Sequence, residues 1–312
     1  MNLPETKEKA NAIIEEIKKA IIGKEEEVRL SVICLLSKGH LLIDDIPGVG
    51  KTTLAKAIAK AIGGIFKRIQ FTPDLLPSDV TGGPVFNPEK NQFVFHPGPI
   101  FANIVLADEI NRASPRTQAA LLECMEERQV TSDGVTYKLP EPFVVIATEN
   151  RIEHYGIYPL PEAELDRFMM RISLGYPEKE SEEQILKNHQ QLDDLSEKVN
   201  PVIDPATMVE MQEKVKEIYV SPAIQEYIVN IMVASRQHPA VMLGASPRVG
   251  IHLQRCAQAL ALLDGRDYVI PDDIKGLLVP VLAHRLILRP ERRVDIPSLL
   301  EEIVEKIPVP LE

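Results

Sequence analysis

The chain has 312 residues, and 35 Lys and Arg against 46 Asp and Glu leave a formal net charge of −11 at pH 7. With 45% hydrophobic and 26% charged residues it has a globular composition, which excludes a disordered chain. The acidic balance argues against nucleic acid as a general partner, and Cys34, Cys124 and Cys256, widely spaced and without a Cys-x-x-Cys, exclude a disulfide framework or a zinc knuckle.

In chain order, Ile13, Ile14, Ile17, Ala20 and Ile21 recur at helical spacing, and Gly23 is the expected stop. Leu41, Leu42 and Ile43 form a short apolar run that ends in Asp44 and Asp45. Residues 52–62 read as a helix with Leu54, Ala55, Ile58, Ala59 and Ile62 on one side, closed by Gly63 and Gly64. Residues 104–107 and 144–147 are continuous apolar runs, the pattern of strands buried on both faces of a parallel sheet. Ser114 and Pro115 start a helix between them. Strands separated by helices predict a parallel α/β sheet. Two hairpins interrupt it, one around 85–95 and one around 130–138, the second turning on Asp133 and Gly134. Beyond Pro177 the stretch 178–200 is charged and helical, and from Pro201 onward only helical periodicity is visible. The predicted division is an αβα core over 1–176, a helical linker over 177–200 and an all-helical domain over 201–312.

Asp45, Ile46, Pro47, Gly48, Val49, Gly50, Lys51, Thr52 and Thr53 join a buried strand to a helix. Glycines let successive N–H groups converge on an anion, and the helix N-terminus adds its dipole. Lys51 would reach the β- and γ-phosphates and Thr52 would offer its hydroxyl to Mg²⁺. Asp45 stands where the strict motif has its first glycine. Residues 104–107 deliver Asp108 and Glu109 to the carboxyl end of a strand, the edge at which ligands of open α/β sheets bind. Asp108 can orient Mg²⁺ through water, and Glu109 can polarise an attacking water. Asn150 ends the strand 144–147 in the same way; it either holds that water and senses the γ-phosphate, or simply forms a turn.

Residues 108–123 (Asp-Glu-Ile-Asn-Arg-Ala-Ser-Pro-Arg-Thr-Gln-Ala-Ala-Leu-Leu-Glu), 158–168 and 244–248 (Gly-Ala-Ser-Pro-Arg) resemble the signatures of the MoxR branch of AAA+ ATPases. The likeness runs from about residue 10 to about residue 290 with the motifs in family order. The resemblance implies a sheet of order 5-1-4-3-2 with a helical lid, assembled as a hexameric ring whose two hairpins face a central pore. It implies ATP and Mg²⁺ as ligands, Asn150 as the first sensor, Arg248 as the second, and Arg167 as an arginine finger. It also sets the backbone at Ile22 and Gly23 against the base. A protein client and a partner with a von Willebrand factor A domain come with the family. The loop after the first sensor departs from the pattern, since Thr148, Glu149, Asn150 and Arg151 stand where relatives often have Thr-Gln-Asn-Pro.

Other chemistry finds no support. The seven histidines (40, 96, 154, 189, 238, 252, 284) have no metal-ligand spacing, and there is no Gly-x-Ser-x-Gly elbow. The polar stretch Pro4, Glu5, Thr6, Lys7 is no secretory signal. The longest apolar runs, 143–147 and 277–283, fall short of the roughly 18 residues of a membrane helix, so a soluble cytoplasmic protein without membrane insertion is expected. Two rivals to a client-remodelling ATPase are a nucleotide-dependent scaffold with little turnover and a DNA-directed motor. For the motor, tips carrying Asn87, Glu89, Lys90, Asn91, Ser132 and Asp133 offer little positive charge to a phosphate backbone.

Overall fold

The computed structural model describes residues 1–89, 91–150, 157–189, 194–291 and 294–310; Lys90, Arg151 and His154, singled out above, lie outside them. The first part consists of α1 (Leu3–Lys18), α2 (Glu25–Leu36), β1 (Leu41–Asp44), α3 (Lys51–Ala61), β2 (Phe66–Gln70), α4 (Pro77–Thr81), β3 (Gly82–Asn87), β4 (Gln92–Pro97), β5 (Ile104–Asp108), α5 (Pro115–Glu127), β6 (Gln129–Ser132), β7 (Val135–Lys138), β8 (Val144–Glu149), α6 (Glu162–Leu165) and β9 (Met170–Ile172). Then follow α7 (Lys179–His189), α8 (Pro205–Val215), α9 (Pro222–Gln237), β10 (Val241–Leu243), α10 (Pro247–Asp264), α11 (Pro271–Gly276), α12 (Leu278–Leu282), β11 (Ile287–Leu288) and α13 (Ile296–Glu305).

Five strands form one parallel sheet in the order β2-β5-β8-β1-β9. Numbered by their place in the sheet's own sequence, this is the order 5-1-4-3-2 expected above. The continuous apolar strands are explained by two cores. Successive side chains of a strand point to opposite faces, so Leu41, Ile43, Ile104, Leu106, Val144 and Ile146 enter the core under α1, α2 and α3. Their neighbours Leu42, Val105, Ala107, Val145 and Ala147 enter a second core with α5. Because every position is buried on one face or the other, alternation disappears from the sequence. Leu106 is fully buried. Leu106→Ala should therefore destabilise the fold by about 2–5 kcal/mol, read as a lower midpoint of urea unfolding; an unchanged midpoint would mean that the site collapses around the smaller side chain.

The helices α8 to α13 of the second part share the first core, with α1 packed on both α8 and α10. Each predicted hairpin forms, β3 with β4 and β6 with β7. Phe95 stacks on Tyr137 with centroids 4.0 Å apart, which joins the two hairpins to each other.

Three details differ from the sequence expectation. The first helix ends at Lys18; Ala20 and Ile21 are buried from the turn that follows, and Gly23 sits in that turn at φ +70°. A Cβ on Gly23 would lie 2.2 Å from Ser181 Oγ, so the close approach of α7 as well as the backbone requires glycine. The second part is not purely helical, since β10 and β11 pair antiparallel. At 3 and 2 residues they are too short to leave a period-2 pattern. Finally, β2 is an edge strand with exposed Lys67 and Arg68, so it lacks the apolar run that revealed its neighbours.

Candidate nucleotide site

At the carboxyl end of β1 the chain turns through Gly48 (φ +86°) and Gly50 (φ +96°), left-handed conformations that favour glycine. Helix α3 begins at Lys51 immediately after. Asp45 shows why glycine is not needed at the loop's first position. Its carboxylate is buried and accepts hydrogen bonds from the Gly175 N–H (2.7 Å), the Ser173 hydroxyl (3.2 Å) and the Ile46 N–H (2.8 Å). The side chain thus ties the loop to the segment after β9. Lys51 Nζ donates to the Asp45 carbonyl at 3.0 Å, folded over the loop.

A cavity of about 390 Å³ opens above this loop. Pro47, Gly48, Gly50, Lys51, Thr52 and Thr53 form one wall, and Asp108, Glu109 and Asn150 face them with Arg68 and Gln70. The sheet explains the meeting, since β8 lies between β5 and β1, and β5 and β8 end within a residue of each other. Thr148 couples the acidic pair: its hydroxyl donates to Asp108 Oδ1 at 2.6 Å and accepts the Glu109 N–H at 2.8 Å. Glu109 adopts φ +57°, which turns its carboxylate away from the strand direction. Asn150 is buried at the end of β8.

Arg68 and Gln70 escaped the sequence reading. Arg68 donates twice to Asp108 Oδ2 (2.6 and 3.1 Å) and once to Gln70 Oε1 (2.7 Å). Gln70 Nε2 donates to Glu109 Oε2 at 2.8 Å, and Arg112 adds a second donor at 3.0 Å. Their signal was an i, i+2 polar pair on a strand, legible only once β2 is known to be one.

A second, narrower cavity of about 160 Å³ adjoins the loop and shares Gly48, Gly50 and Thr53 with the first. Ala20, Ile21 and Ile22 line it from the turn after α1, with Val49, Pro177 and Ile185 opposite. Ile22 is therefore at the loop, while Gly23 is held against α7 beside it.

Arg167 and Arg248 line neither of these cavities. Both border a third, of about 270 Å³, and both pair with Glu126: Arg167 Nε at 3.1 Å from Oε2, Arg248 Nη2 at 2.8 Å from Oε1. A local ion pair of Arg167 with Glu164 or Asp166 does not form. Asp166 is taken by Arg285, whose side chain is only 3% exposed and lies 2.9 Å from it, and by the Ser246 hydroxyl at 3.1 Å. A buried guanidinium needs a carboxylate more than a half-exposed one does.

Comparison with known proteins agrees with this geometry. Residues 40–170 match the family model of the ATPase family associated with various cellular activities (AAA), and residues 233–307 match the AAA lid domain. The uncharacterized protein YeaC of Bacillus subtilis is 49% identical over 96% of this chain and 94% of its own. Chaperone MoxR1 of Mycobacterium tuberculosis is 41% identical over 88% of this chain and 74% of its own. The crystal structure of a candidate ATPase from Cytophaga hutchinsonii superposes with a TM-score of 0.92 at 36% identity, covering 99% of this chain and 97% of that one. With a five-stranded parallel sheet, a helical lid, a glycine turn between β1 and α3 and these relatives over most of its length, the chain belongs to the MoxR family of AAA+ ATPases.

Proposed function

We propose that the chain hydrolyses ATP with Mg²⁺ as a subunit of a hexameric ring, and that turnover drives chaperone-like remodelling or maturation of a protein client. The observation that carries this is the division of the machinery. The phosphate loop, Asp108, Glu109 and Asn150 share one cavity, while Arg167 and Arg248 stand together at another.

In this mechanism the apolar slot at Ile22 and Val49 takes the base, with Gly23 shaping the turn. The N–H groups from Gly48 to Thr53 and the Lys51 ammonium hold the phosphates. The Thr52 hydroxyl and the Asp108 carboxylate are hard oxygen donors on facing walls, a set that suits Mg²⁺, and the bound ion would neutralise charge on the β- and γ-phosphates. Glu109, kept in place by Gln70 and Arg112, orients the attacking water and accepts its proton, and Asn150 steadies that water. Arg167 and Arg248 supply positive charge to the nucleotide of a neighbouring subunit, which accounts for their position outside the chain's own cavity.

The exposed side chains Val85, Phe86, Phe93 and Val94 of the first hairpin offer the client an apolar contact. That favours a polypeptide over a nucleic acid strand, which would call for cations along the hairpin. A protein with a von Willebrand factor A domain is the expected partner by family. Buried, free Cys34, Cys124 and Cys256 suit a reducing cytoplasm, and among the described residues no helix is long and apolar enough to cross a membrane.

Steady-state phosphate release with ATP and Mg²⁺ tests the proposal. Specific activity should rise with protein concentration, because each site borrows residues from a neighbour. Lys51→Ala should weaken ATP binding by about tenfold or more; normal affinity in that variant would remove Lys51 from the phosphate site. Flat, negligible release at every concentration would favour the scaffold instead.

A further inference from the structure

We infer that the Glu126 carboxylate occupies the anion site made by Arg167 and Arg248, acting through them as a stand-in that a terminal phosphate carried by a second copy of the chain displaces. This rests on the proposal that ring subunits share their sites.

The two arginines come from distant parts of the sequence, Arg167 from the loop after α6 and Arg248 from the first turn of α10, yet each takes one oxygen of the same carboxylate. They are also mechanically joined. Ser246, two residues before Arg248, donates to Asp166, the residue before Arg167, and Arg285 clamps the same stretch by donating to the Asp166 and Phe168 carbonyls. The lid and the finger loop therefore present both guanidinium groups as a unit.

Charge around them is unbalanced. Lys38, Arg128, Arg167 and Arg248 line the cavity, and among its described lining residues Glu126 is the one acidic side chain. Lys38 has its own partner in Glu213 at 2.7 Å, and Arg128 donates to the carbonyls of Phe143 and Lys38, so neither is neutralised by Glu126. His40 and His252 add no charge at neutral pH, since burial pushes both down to about 3. Hydrogen bonds from Arg167 and then Arg248 hold the Glu126 carboxyl below its ordinary value, so it stays ionised. Two guanidinium groups thus share a single negative charge. A terminal phosphate brings more charge and three acceptor oxygens, and arginine forks match its geometry. Glu126 is 40% exposed on the last turn of α5, where a phosphate from outside the chain can displace it.

The test is the midpoint of assembly in protein concentration, measured by sedimentation velocity on the full chain with and without ATP and Mg²⁺. With ATP, E126Q should assemble at about fivefold lower concentration than wild type, the scale of two solvent-exposed ion pairs no longer competing. E126D keeps the charge and should follow wild type. Without nucleotide the E126Q and wild-type midpoints should coincide, which a merely structural role for Glu126 would not produce. An unshifted or higher midpoint with ATP, or the same shift without it, overturns the inference. Absence of ATP-dependent assembly in wild type overturns the shared-site proposal as well; wild-type assembly with no E126Q shift overturns the role of Glu126 alone.

Discussion

Glu109→Gln should bind ATP as wild type does and hydrolyse it about 10²–10⁴-fold more slowly, the usual contribution of a positioned general base. The amide has the size of the carboxylate and cannot accept the water's proton. The local structure should survive. The Glu109 N–H bond to Thr148 belongs to the backbone, and the φ of +57° is no harder for glutamine than for glutamate. Asp108 keeps its bonds to Thr148 and Arg68 because neither involves the Glu109 side chain. Phosphate release gives the rate, and equilibrium dialysis with ATP gives the affinity. Undiminished hydrolysis would take Glu109 out of the mechanism, whereas loss of binding together with turnover would show that it shapes the phosphate cavity and does no proton transfer.

Arg167→Ala and Lys51→Ala should each be nearly inactive alone, the former by about 10³–10⁵-fold if it acts as trans-acting arginines do in GTPases. Mixed together, they should regain activity. A subunit that lacks Arg167 still has a complete phosphate loop, and a neighbour that lacks Lys51 still supplies Arg167. In an equimolar random ring of head-to-tail contacts, about a quarter of the interfaces combine the two intact halves. The third cavity motivates this expectation, since Arg167 is bonded there to Glu126 and borders neither cavity at the phosphate loop. No recovery on mixing, with the ring still formed, would place the finger's action within its own subunit.

The parts of the candidate site that depend on neighbours in the chain were legible from residues alone. Gly48 and Gly50 permit the turn, Lys51 and Thr52 open the helix, and Asp108, Glu109 and Asn150 end two apolar runs. Each is a local pattern whose physical reason lies within a few residues. The parallel sheet followed from the same runs, and its strand order from the likeness to a family. The hairpin at Asp133 and Gly134 was equally local, because a two-residue turn carries its own backbone requirement.

Tertiary structure decided which charges meet. Arg68 and Gln70 reach Asp108 and Glu109 across 40 and 39 residues of chain, from an edge strand whose polar face concealed it. Asp45 finds its partners at Ser173 and Gly175, which explains the missing glycine as a latch. Arg167 passes over adjacent Asp166 for Glu126 because Arg285, brought from the lid into a buried position, claims that carboxylate first. Sequence determined the turn and the strand ends that carry the proposed catalytic groups, since backbone conformation and strand ends are short-range properties. Their pairing was settled only by folding, since an ion pair forms where burial makes an unpaired charge most costly and not where the chain is shortest.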